Sequence, residues 1–204
     1  MGPTEEPMAP ATRERILAAA VRVLQQRGAA HLTTREVARV AGCAEGSIFK
    51  NFRDKAGLLG AVLCEGLPEL EALRRSAAEA PTRPVREALV ALARAAIDFY
   101  AASLPITAVL LTDPTLVARH REAIRAGAPG PQQAHLEVAE YLRAEQERGR
   151  LSPAADPRAT ALLLCGAAQH RALLELVAGP SVLPDDRDAA ATAIADTVLS
   201  GLAR

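Results

Sequence analysis

The sequence predicts an all-α protein of about nine helices, and both its composition and its periodicity support this class. The 204 residues include 45 alanines and 27 leucines, but only three Phe, two Tyr and no Trp. Alanine and leucine are strong helix formers, whereas the aromatic residues that favour strands are scarce. Apolar residues recur at helical spacing, and no segment shows the alternation that is typical of a strand.

The amino-terminal part of the chain carries the sharpest helix signals. A first helix is expected from Thr12 to about Gly28. The run Thr33-Thr34-Arg35-Glu36 predicts a capping box, in which the Thr33 hydroxyl binds the backbone of Glu36 and the Glu36 side chain reaches back. This second helix should end at Ala41, with Gly42 in the left-handed conformation that often follows a helix.

Prolines, glycines and acidic caps mark the remaining helices. A third helix covers about Ala44 to Asn51, and Asp54 caps a fourth, which Pro68 kinks or splits. The later helices are expected from Pro84 to about Ala102, from Pro105, from Pro114, through Tyr141 to Arg148, from Asp156-Pro157 to Ala178, and from Pro184 nearly to Arg204.

The charged residues are balanced overall but not along the chain. Lys and Arg together number 24, as do Asp and Glu. Between residues 11 and 60 there are nine basic and four acidic residues, and the remainder is slightly acidic. A basic amino-terminal part is a weak sign of nucleic-acid binding, with random scatter of surface charge as the alternative.

Several classes of protein are not expected from this sequence. It shows neither a signal peptide nor an apolar run of the roughly 18 residues that a bilayer span requires, so we expect a cytoplasmic protein without a membrane partner. Three distant cysteines, Cys43, Cys64 and Cys165, form neither a disulfide framework nor a metal knuckle. No histidine pair has metal-binding helical spacing and no glycine-rich phosphate loop occurs, so we expect no metal, no cofactor and no enzyme activity.

The second and third helices together predict a helix-turn-helix unit. The second helix is short and capped, and the turn at Gly42 is tight. In the third helix, Ile48 and Phe52 stand four residues apart and form a buried face. An outward Phe49 beside Lys50 is unusual for a surface in water but suits DNA, whose sugars and thymine methyl groups are apolar.

At these positions the chain resembles the Tet repressor (TetR) family. The segments that carry the resemblance, without a gap from Thr12 to about Val62, are Leu32 to Ala38, Ala41-Gly42, Ile48 to Phe52, Lys55 and Leu58-Leu59. The segment from Pro184 to Leu202 is also similar to the last helix of the family. The resemblance implies an amino-terminal arm over residues 1–11, a DNA-binding domain over 12–58 with its helix-turn-helix at about 33–52, and a ligand-binding and dimerisation domain over 59–204.

The resemblance also implies that the third helix reads the major groove while the second helix and Lys55 contact phosphates. The residues expected at the DNA are Thr33, Thr34, Arg35, Glu45, Gly46, Ser47, Phe49, Lys50, Asn51 and Lys55. This chain departs from the family at two positions. Phe49 replaces a usual tyrosine whose hydroxyl binds a phosphate, and Ala44 replaces a usual capping Ser or Thr, at a cost of about 1 kcal/mol.

Family resemblance places an effector pocket among the middle helices and a dimer interface on the last two. The residues able to orient a small molecule are Asp98, Phe99, Tyr100, Thr107, His120, Tyr141, Gln169 and His170. For each of them, the alternative role is to fill the core or to lie at its edge. The helix after Asp156 is apolar nearly all round and therefore requires burial nearly all round. Contact with a second copy is expected at Leu162, Gly166, Leu173, Ala193, Ile194 and Val198.

These expectations combine into a sequence-specific transcriptional regulator, most simply a ligand-responsive repressor. It would bind a palindromic operator in double-stranded DNA as a homodimer, and an unidentified small-molecule effector would release it. The alternative from a different class is an all-helical dimeric carrier or enzyme acting on small molecules, in which the helix-turn-helix is scaffold only.

Overall fold

The computed structural model describes residues 12–128, 130 and 132–202, so the predicted arm over residues 1–11 lies outside the described residues. These ranges contain ten α-helices and no β-strand, which confirms the all-α class. The helices are α1 (Thr12–Arg27), α2 (Thr34–Ala41), α3 (Glu45–Phe52), α4 (Lys55–Ala61), α5 (Pro68–Glu79), α6 (Val85–Leu111), α7 (Pro114–Arg125), α8 (Gln133–Glu147), α9 (Pro157–Ala178) and α10 (Arg187–Leu202). A π-helical turn at Val62–Gly66 follows α4, and Pro68 then opens a separate helix, as the predicted split requires.

Two acidic side chains begin helices where the sequence predicts them. The Asp54 carboxylate accepts a hydrogen bond from the backbone N–H of Gly57 at 2.9 Å and caps α4. The Asp156 carboxylate accepts from the N–H of Arg158 at 2.8 Å and caps α9. Each cap satisfies a backbone donor that has no partner within its own helix, which contributes about 1 kcal/mol.

Pro105 does not begin a new helix, as the sequence predicts, but lies inside α6. A proline removes the backbone donor for the carbonyl group four residues earlier. Two hydroxyl groups make additional hydrogen bonds to this part of the backbone. Thr107 donates to the carbonyl oxygen of Ser103 at 3.0 Å, and Ser103 donates to that of Tyr100 at 3.4 Å. Helix α6 continues through this proline for 27 residues, past the end predicted near Ala102.

The described residues form two compact units. The first contains residues 12–66 and 109–123, and the second contains residues 67–108 and 124–202. The first division falls after Gly66, and before it Val62 is fully buried and Gly66 lies against Val21 of α1. The end of α6 and most of α7 belong to the first unit, which no local pattern in the sequence indicates.

The second unit has an alanine-rich core. The largest fully buried side chains of this unit are Leu73, Leu89, Leu92, Ile97, Ile106, Leu142 and Leu151. Burial of each such side chain contributes about 1.5–3 kcal/mol. The alanines with no exposed surface are Ala80 directly after α5, Ala88, Ala93 and Ala96 of α6, Ala161 and Ala168 of α9, and Ala191 and Ala195 of α10. These small side chains allow the helices to lie close together.

Helices α6 and α9 are each long and apolar enough, by length and composition, to cross a membrane. The sequence-based prediction recognised no stretch of that length, because isolated polar residues interrupt the apolar runs. Core helices of a protein that stays in water pass the same test, and both helices contribute fully buried residues to the second unit. Helix α9 also exposes Leu162, Leu163, Leu173, Leu174, Leu176 and Val177.

Candidate DNA-binding surface and effector region

The second helix and the turn after it are built as the sequence predicts. The Thr33 hydroxyl accepts a hydrogen bond from the N–H of Glu36 at 3.2 Å, and Leu32 beside it is buried. Gly42 has φ 65° and ψ 41°, which is the left-handed conformation that glycine adopts without strain. The N–H of Cys43 donates to the carbonyl oxygen of Ala38 at 3.1 Å, and this bond closes the end of α2.

Glu36 does not complete the predicted capping box. Its carboxylate accepts hydrogen bonds from Arg39 at 2.7 and 2.9 Å and from Arg27 at 2.8 Å, instead of reaching back to Thr33. The hydrogen bond with Arg39 and the positive charges of Arg27 and Arg39 lower the pKa of Glu36 to about 2. The backbone N–H of Thr33 donates instead to the carbonyl oxygen of His31 at 2.8 Å, and the Glu36 carboxylate binds charged partners on both sides.

Helix α1 supports the helix-turn-helix from behind. Arg15 donates to the carbonyl oxygen of Ala41 at 3.0 Å and contacts that of Gly42 at 3.4 Å, so its guanidinium group bridges α1 and the turn. Arg13 makes a two-point ion pair with Glu65 at 2.6 and 2.8 Å, and its guanidinium carbon lies 5.1 Å from the centre of the Phe52 ring. These contacts fix α1 against the end of α3.

Helix α3 has one buried face and one exposed face. Ile48 and Phe52 are buried in the first unit, as predicted, while Lys50 is exposed and the Phe49 side chain is 48% exposed. Ala44 precedes the helix without a side-chain cap. The exposed face therefore combines an apolar ring with a positive charge.

The end of α3 meets α4 in a close junction that α7 also contacts. Arg53 adopts φ 65°, a conformation that residues other than glycine rarely adopt. A Cβ atom on Gly57 would lie 2.0 Å from the carbonyl oxygen of Phe52, so only glycine fits there. Arg119 of α7 pairs with Asp54 at 2.6 Å, and His120 lies against Gly60. No sequence signal indicates this contact between α7 and α4.

The residues predicted to contact DNA lie along the starts of α2 and α4 and the length of α3. Exposed members of the set are Thr33, Arg35, Glu45, Gly46, Phe49 and Lys50, and partly buried members are Thr34, Ser47, Asn51 and Lys55. Four of them, Thr33, Thr34, Glu45 and Asn51, already use polar side-chain groups within the protein. The Thr34 hydroxyl donates to Glu45 Oε1 at 2.6 Å, and Asn51 Nδ2 donates to the carbonyl oxygen of Ser47 at 2.7 Å.

Some of the predicted effector residues meet in the core of the second unit. The Phe99 and Tyr100 rings are partly buried with centres 5.3 Å apart, and Tyr100 shares a hydrogen bond with Cys165 of α9. Burial raises the pKa of Cys165 to about 11 and raises the pKa of Tyr100 as well. Tyr141 of α8 is buried, and its hydroxyl has no hydrogen-bond partner within the described part of the chain. Burial raises its pKa to about 12.

The other predicted effector residues lie elsewhere. Thr107 donates to the backbone of α6, and His120 belongs to the first unit, where burial lowers its pKa. Gln169 and His170 are exposed on α9, beside Gly166 and Leu173. Within the second unit, Gln169 and His170 therefore face solvent rather than the core that contains Tyr141.

Asp98 belongs to an ion-pair network that sequence reasoning missed. The Asp98 carboxylate accepts from Arg187 at 2.7 Å and also pairs with Arg94. Arg187 in turn binds Glu175 of α9 at 2.6 Å, and Arg171 binds the same carboxylate at 3.0 Å. Arg94–Asp98 and Arg171–Glu175 have the four-residue spacing of helical ion pairs, which was the available signal.

Two open grooves of about 780 and 560 Å³ lie in the second unit, and Ala101 and Arg187 line both. Asp98 and Arg94 also line the larger groove, together with small residues of α5 and α6. Within the described ranges, no three His, Cys, Asp or Glu side chains are grouped so that they could hold a metal ion.

The predicted interface residues form a stripe along α9 and part of α10. Leu162, Gly166 and Leu173 are exposed on α9, and a Cβ on Gly166 would meet nothing within 4 Å. Ala193 of α10 is exposed as well, whereas Ile194 and Val198 are half-buried against the core. Helix α9 therefore presents leucines and small residues outward.

Two family models match the chain. The model of bacterial regulatory proteins of the tetR family covers residues 16–62, and that of the AefR-like transcriptional repressor C-terminal domain covers residues 109–204. The uncharacterized HTH-type transcriptional regulator YvkB of Bacillus subtilis is 43% identical over 54 residues. That match spans 26% of this chain and 29% of the length of YvkB.

Solved structures share this fold over nearly the whole chain. A TetR-family regulator from Mesorhizobium loti has a TM-score of 0.73 at 17% identity, covering 98% of this chain and 100% of that one. One from Rhodococcus sp. has a TM-score of 0.70 at 20% identity, covering 94% and 98%. FadR of Thermus thermophilus, solved with lauroyl-CoA, has a TM-score of 0.65 at 24% identity, covering 94% and 96%. Because the family models match both its amino-terminal helices and its carboxyl-terminal half, the chain belongs to the TetR family of transcriptional regulators.

Proposed function

We propose that this chain is a cytoplasmic, ligand-responsive repressor that binds a palindromic operator as a homodimer. The observation that carries the proposal is the surface of α3, where buried Ile48 and Phe52 anchor a short helix that exposes Phe49 and Lys50. A helix held in this way fits the major groove and presents both a charge for phosphate and an apolar ring for sugar or thymine methyl groups. This surface favours DNA binding over the carrier or enzyme alternative, in which the helix-turn-helix is scaffold only.

The outward face of α9 supports the homodimer. Leu162 is 61% exposed and Val177 is 76% exposed, and such side chains gain free energy when a second copy covers them. In a two-fold contact the same stripe meets itself, and small residues such as Gly166 allow a close approach. A dimer of this kind reads two half-sites about one helical turn apart, or a multiple of that distance.

The surroundings of Tyr100 and Tyr141 support an effector with an apolar body and one polar end. Tyr141 belongs to the apolar core and Tyr100 packs against it, while the Tyr141 hydroxyl, near the charges of Glu145, Arg148 and Arg150, is buried without a hydrogen-bond partner in the described residues. A buried hydroxyl of this kind gains a bond when a ligand brings a polar group to it. FadR of Thermus thermophilus was solved with lauroyl-CoA and FadR of Bacillus subtilis with stearoyl-CoA, so fatty acyl-CoA is the class to test first.

The experiment that tests the proposal is selection of bound sites from random double-stranded DNA by the full-length protein. We expect a palindromic sequence to be enriched and bound more tightly than scrambled DNA in fluorescence anisotropy. Lauroyl-CoA should release the protein from that sequence, whereas coenzyme A alone should not. Absence of any enriched sequence would favour the carrier or enzyme alternative.

A pair of lysine and arginine variants tests where the DNA lies. Lys55→Ala should weaken binding to every sequence alike and flatten the log–log dependence of affinity on salt by roughly one unit, because one phosphate contact is lost. Arg75→Ala removes a positive charge from an exposed position on α5 and should leave the salt dependence unchanged. Equal effects of the two changes would contradict a specific phosphate contact at Lys55.

A further inference from the structure

The hydrogen bond between Thr34 and Glu45 has a consequence for which DNA base the protein reads. Glu45 is the first residue of α3 and is exposed, and Thr34 is the first residue of α2. The Thr34 hydroxyl donates to Glu45 Oε1 at 2.6 Å, so it fixes the carboxylate at the exposed start of α3. The other carboxylate oxygen makes no bond with Thr34 in this arrangement.

A carboxylate at this position opposes binding to phosphate. DNA carries a dense negative charge, and binding that depends only on this charge is weakened by each negative group placed near it. The start of a helix does stabilise a carboxylate through the helix dipole, but that effect requires no hydrogen bond from Thr34. A carboxylate held in one orientation there contributes to binding only if it meets a hydrogen-bond donor on a base.

The major groove offers few such donors. A carboxylate accepts hydrogen bonds and donates none, so guanine and thymine edges, which present acceptors in the major groove, repel it. Adenine presents a donor at N6 with an acceptor at N7 beside it. Cytosine presents the N4 amino donor without an adjacent acceptor on its own edge, and it is the base that carboxylates accept from.

We propose that Glu45 reads a cytosine in each half-site and that Thr34 is the positioning residue that aims its carboxylate at the cytosine N4 amino group. This inference rests on the DNA-binding function proposed above and names one base that the protein recognises. The Glu45 carboxylate thereby lowers the affinity for DNA in general and gives the protein a preference at one base pair.

The test compares sites selected from random double-stranded DNA by the full-length wild type and by Glu45→Gln. The wild type should enrich a C·G pair at one symmetric position of each half-site. Glutamine pairs with adenine in the major groove, so Glu45→Gln should enrich the same palindrome with A·T at that pair. Replacing the C·G pair should cost the wild type roughly tenfold in affinity per half-site, and should cost Glu45→Gln little.

Two further variants test the positioning role. Thr34→Val removes the hydroxyl and should broaden the preference at that base pair, whereas Thr34→Ser keeps the hydroxyl and should retain the preference. If the hydrogen bond has only a structural role, its loss in Thr34→Val should lower the melting temperature without changing the preferred base. Glu71→Gln makes the same change of charge at an exposed position on α5 and serves as the control, with wild-type preference expected.

The outcomes separate this inference from the function on which it rests. If the wild type enriches no sequence, both are overturned. If it enriches a palindrome and Glu45→Gln keeps the same preference at every position, the role of Glu45 is overturned while the regulator stands. A uniform gain of affinity for all sequences in Glu45→Gln, without a changed base, would show that the carboxylate only repels phosphate.

Discussion

Phe49 is an apolar ring in a position that faces solvent in the free protein. Its side chain is 48% exposed on α3, between Ile48, which is buried, and Lys50, which is exposed. The family resemblance implies a tyrosine there, and phenylalanine lacks its hydroxyl at the outer edge of the ring. A hydroxyl restored at this exposed edge needs no space inside the protein.

We therefore predict that Phe49→Tyr raises affinity for the selected operator and leaves the preferred sequence unchanged. A hydrogen bond to a charged phosphate contributes about 1.5–3 kcal/mol at best, and both half-sites gain one. Fluorescence anisotropy on the selected operator measures the gain, and thermal denaturation should show equal stability. Unchanged or weaker binding would mean that the ring itself makes an apolar contact with DNA.

At the scale of whole elements, the junction between α3 and α4 depends on one carboxylate with two roles. Asp54 Oδ1 caps α4 through Gly57, and Asp54 Oδ2 binds Arg119 of α7. Burial opposes ionisation of Asp54, yet the bonds from Gly57 and Arg119 outweigh it and hold its pKa below the ordinary value. The cap is a local contact, whereas the ion pair joins segments 65 residues apart.

Three variants separate the cap from the ion pair. Asp54→Ala removes both and should lower the free energy of unfolding by about 1–2 kcal/mol. Asp54→Asn keeps an oxygen for the cap and should resemble Arg119→Ala, which loses under about 1 kcal/mol because its side chain is largely exposed. Urea denaturation measures all three. A loss in Asp54→Asn as large as that in Asp54→Ala would show that the ion pair dominates.

Glu175 connects α9 to α10 and makes the free energy of unfolding depend on pH. The hydrogen bond from Arg187 and that from Arg171 outweigh burial and hold the pKa of Glu175 below its ordinary value of 4.5. Because the folded protein binds this proton less readily than the unfolded chain, the stabilisation is complete above about pH 5 and declines as pH falls below it. Its side chain is 8% exposed, so solvent screens these contacts little.

Glu175→Gln should therefore lower the free energy of unfolding at pH 7 by roughly 1–3 kcal/mol. The difference from the wild type should shrink as pH falls below 4.5, because the unfolded chain binds the proton there while the folded carboxyl, with its lower pKa, binds it only at lower pH. Urea denaturation from pH 7 to pH 3 measures this convergence, with Glu122→Gln at an exposed position of α7 as the control. A difference that stays constant over this range would exclude Glu175 as its source.

Short sequence patterns predict the local structure of this chain, but they do not predict contacts between segments that are far apart in sequence. Thr33, Gly42 and Asp54 act on backbone within a few residues, and each was predicted correctly. Glu36 was predicted to bind its own helix start but binds Arg27 of the preceding helix as well as Arg39. The pairing of Asp54 with Arg119, like that of Asp98 with Arg187, depends on how helices far apart in sequence meet.

At the scale of the whole molecule, the exposed stripe on α9 is the surface that the proposed homodimer would bury. Charge placed on it should therefore separate a dimer without unfolding the monomer. Gly166 and Leu173 suit this purpose because both are exposed, and a side chain on Gly166 meets nothing within 4 Å. Ile194 suits it less, because it is half-buried against the core and a charge there would also destabilise the fold.

We predict that Gly166→Glu combined with Leu173→Glu converts the protein from a dimer to a folded monomer, because a dimer would bury four unpaired carboxylates. Operator affinity should fall steeply, since a single half-site captures much less binding energy, although residues 33–55 are unchanged. Sedimentation in detergent-free buffer measures mass, and circular dichroism measures helix content. Ala78→Glu with Ala123→Glu adds the same charge at exposed positions of α5 and α7 and should remain a dimer. A double variant that stays dimeric and binds its operator would place the interface elsewhere, and a wild type that stays dispersed only in detergent would instead favour a lipid surface for α9.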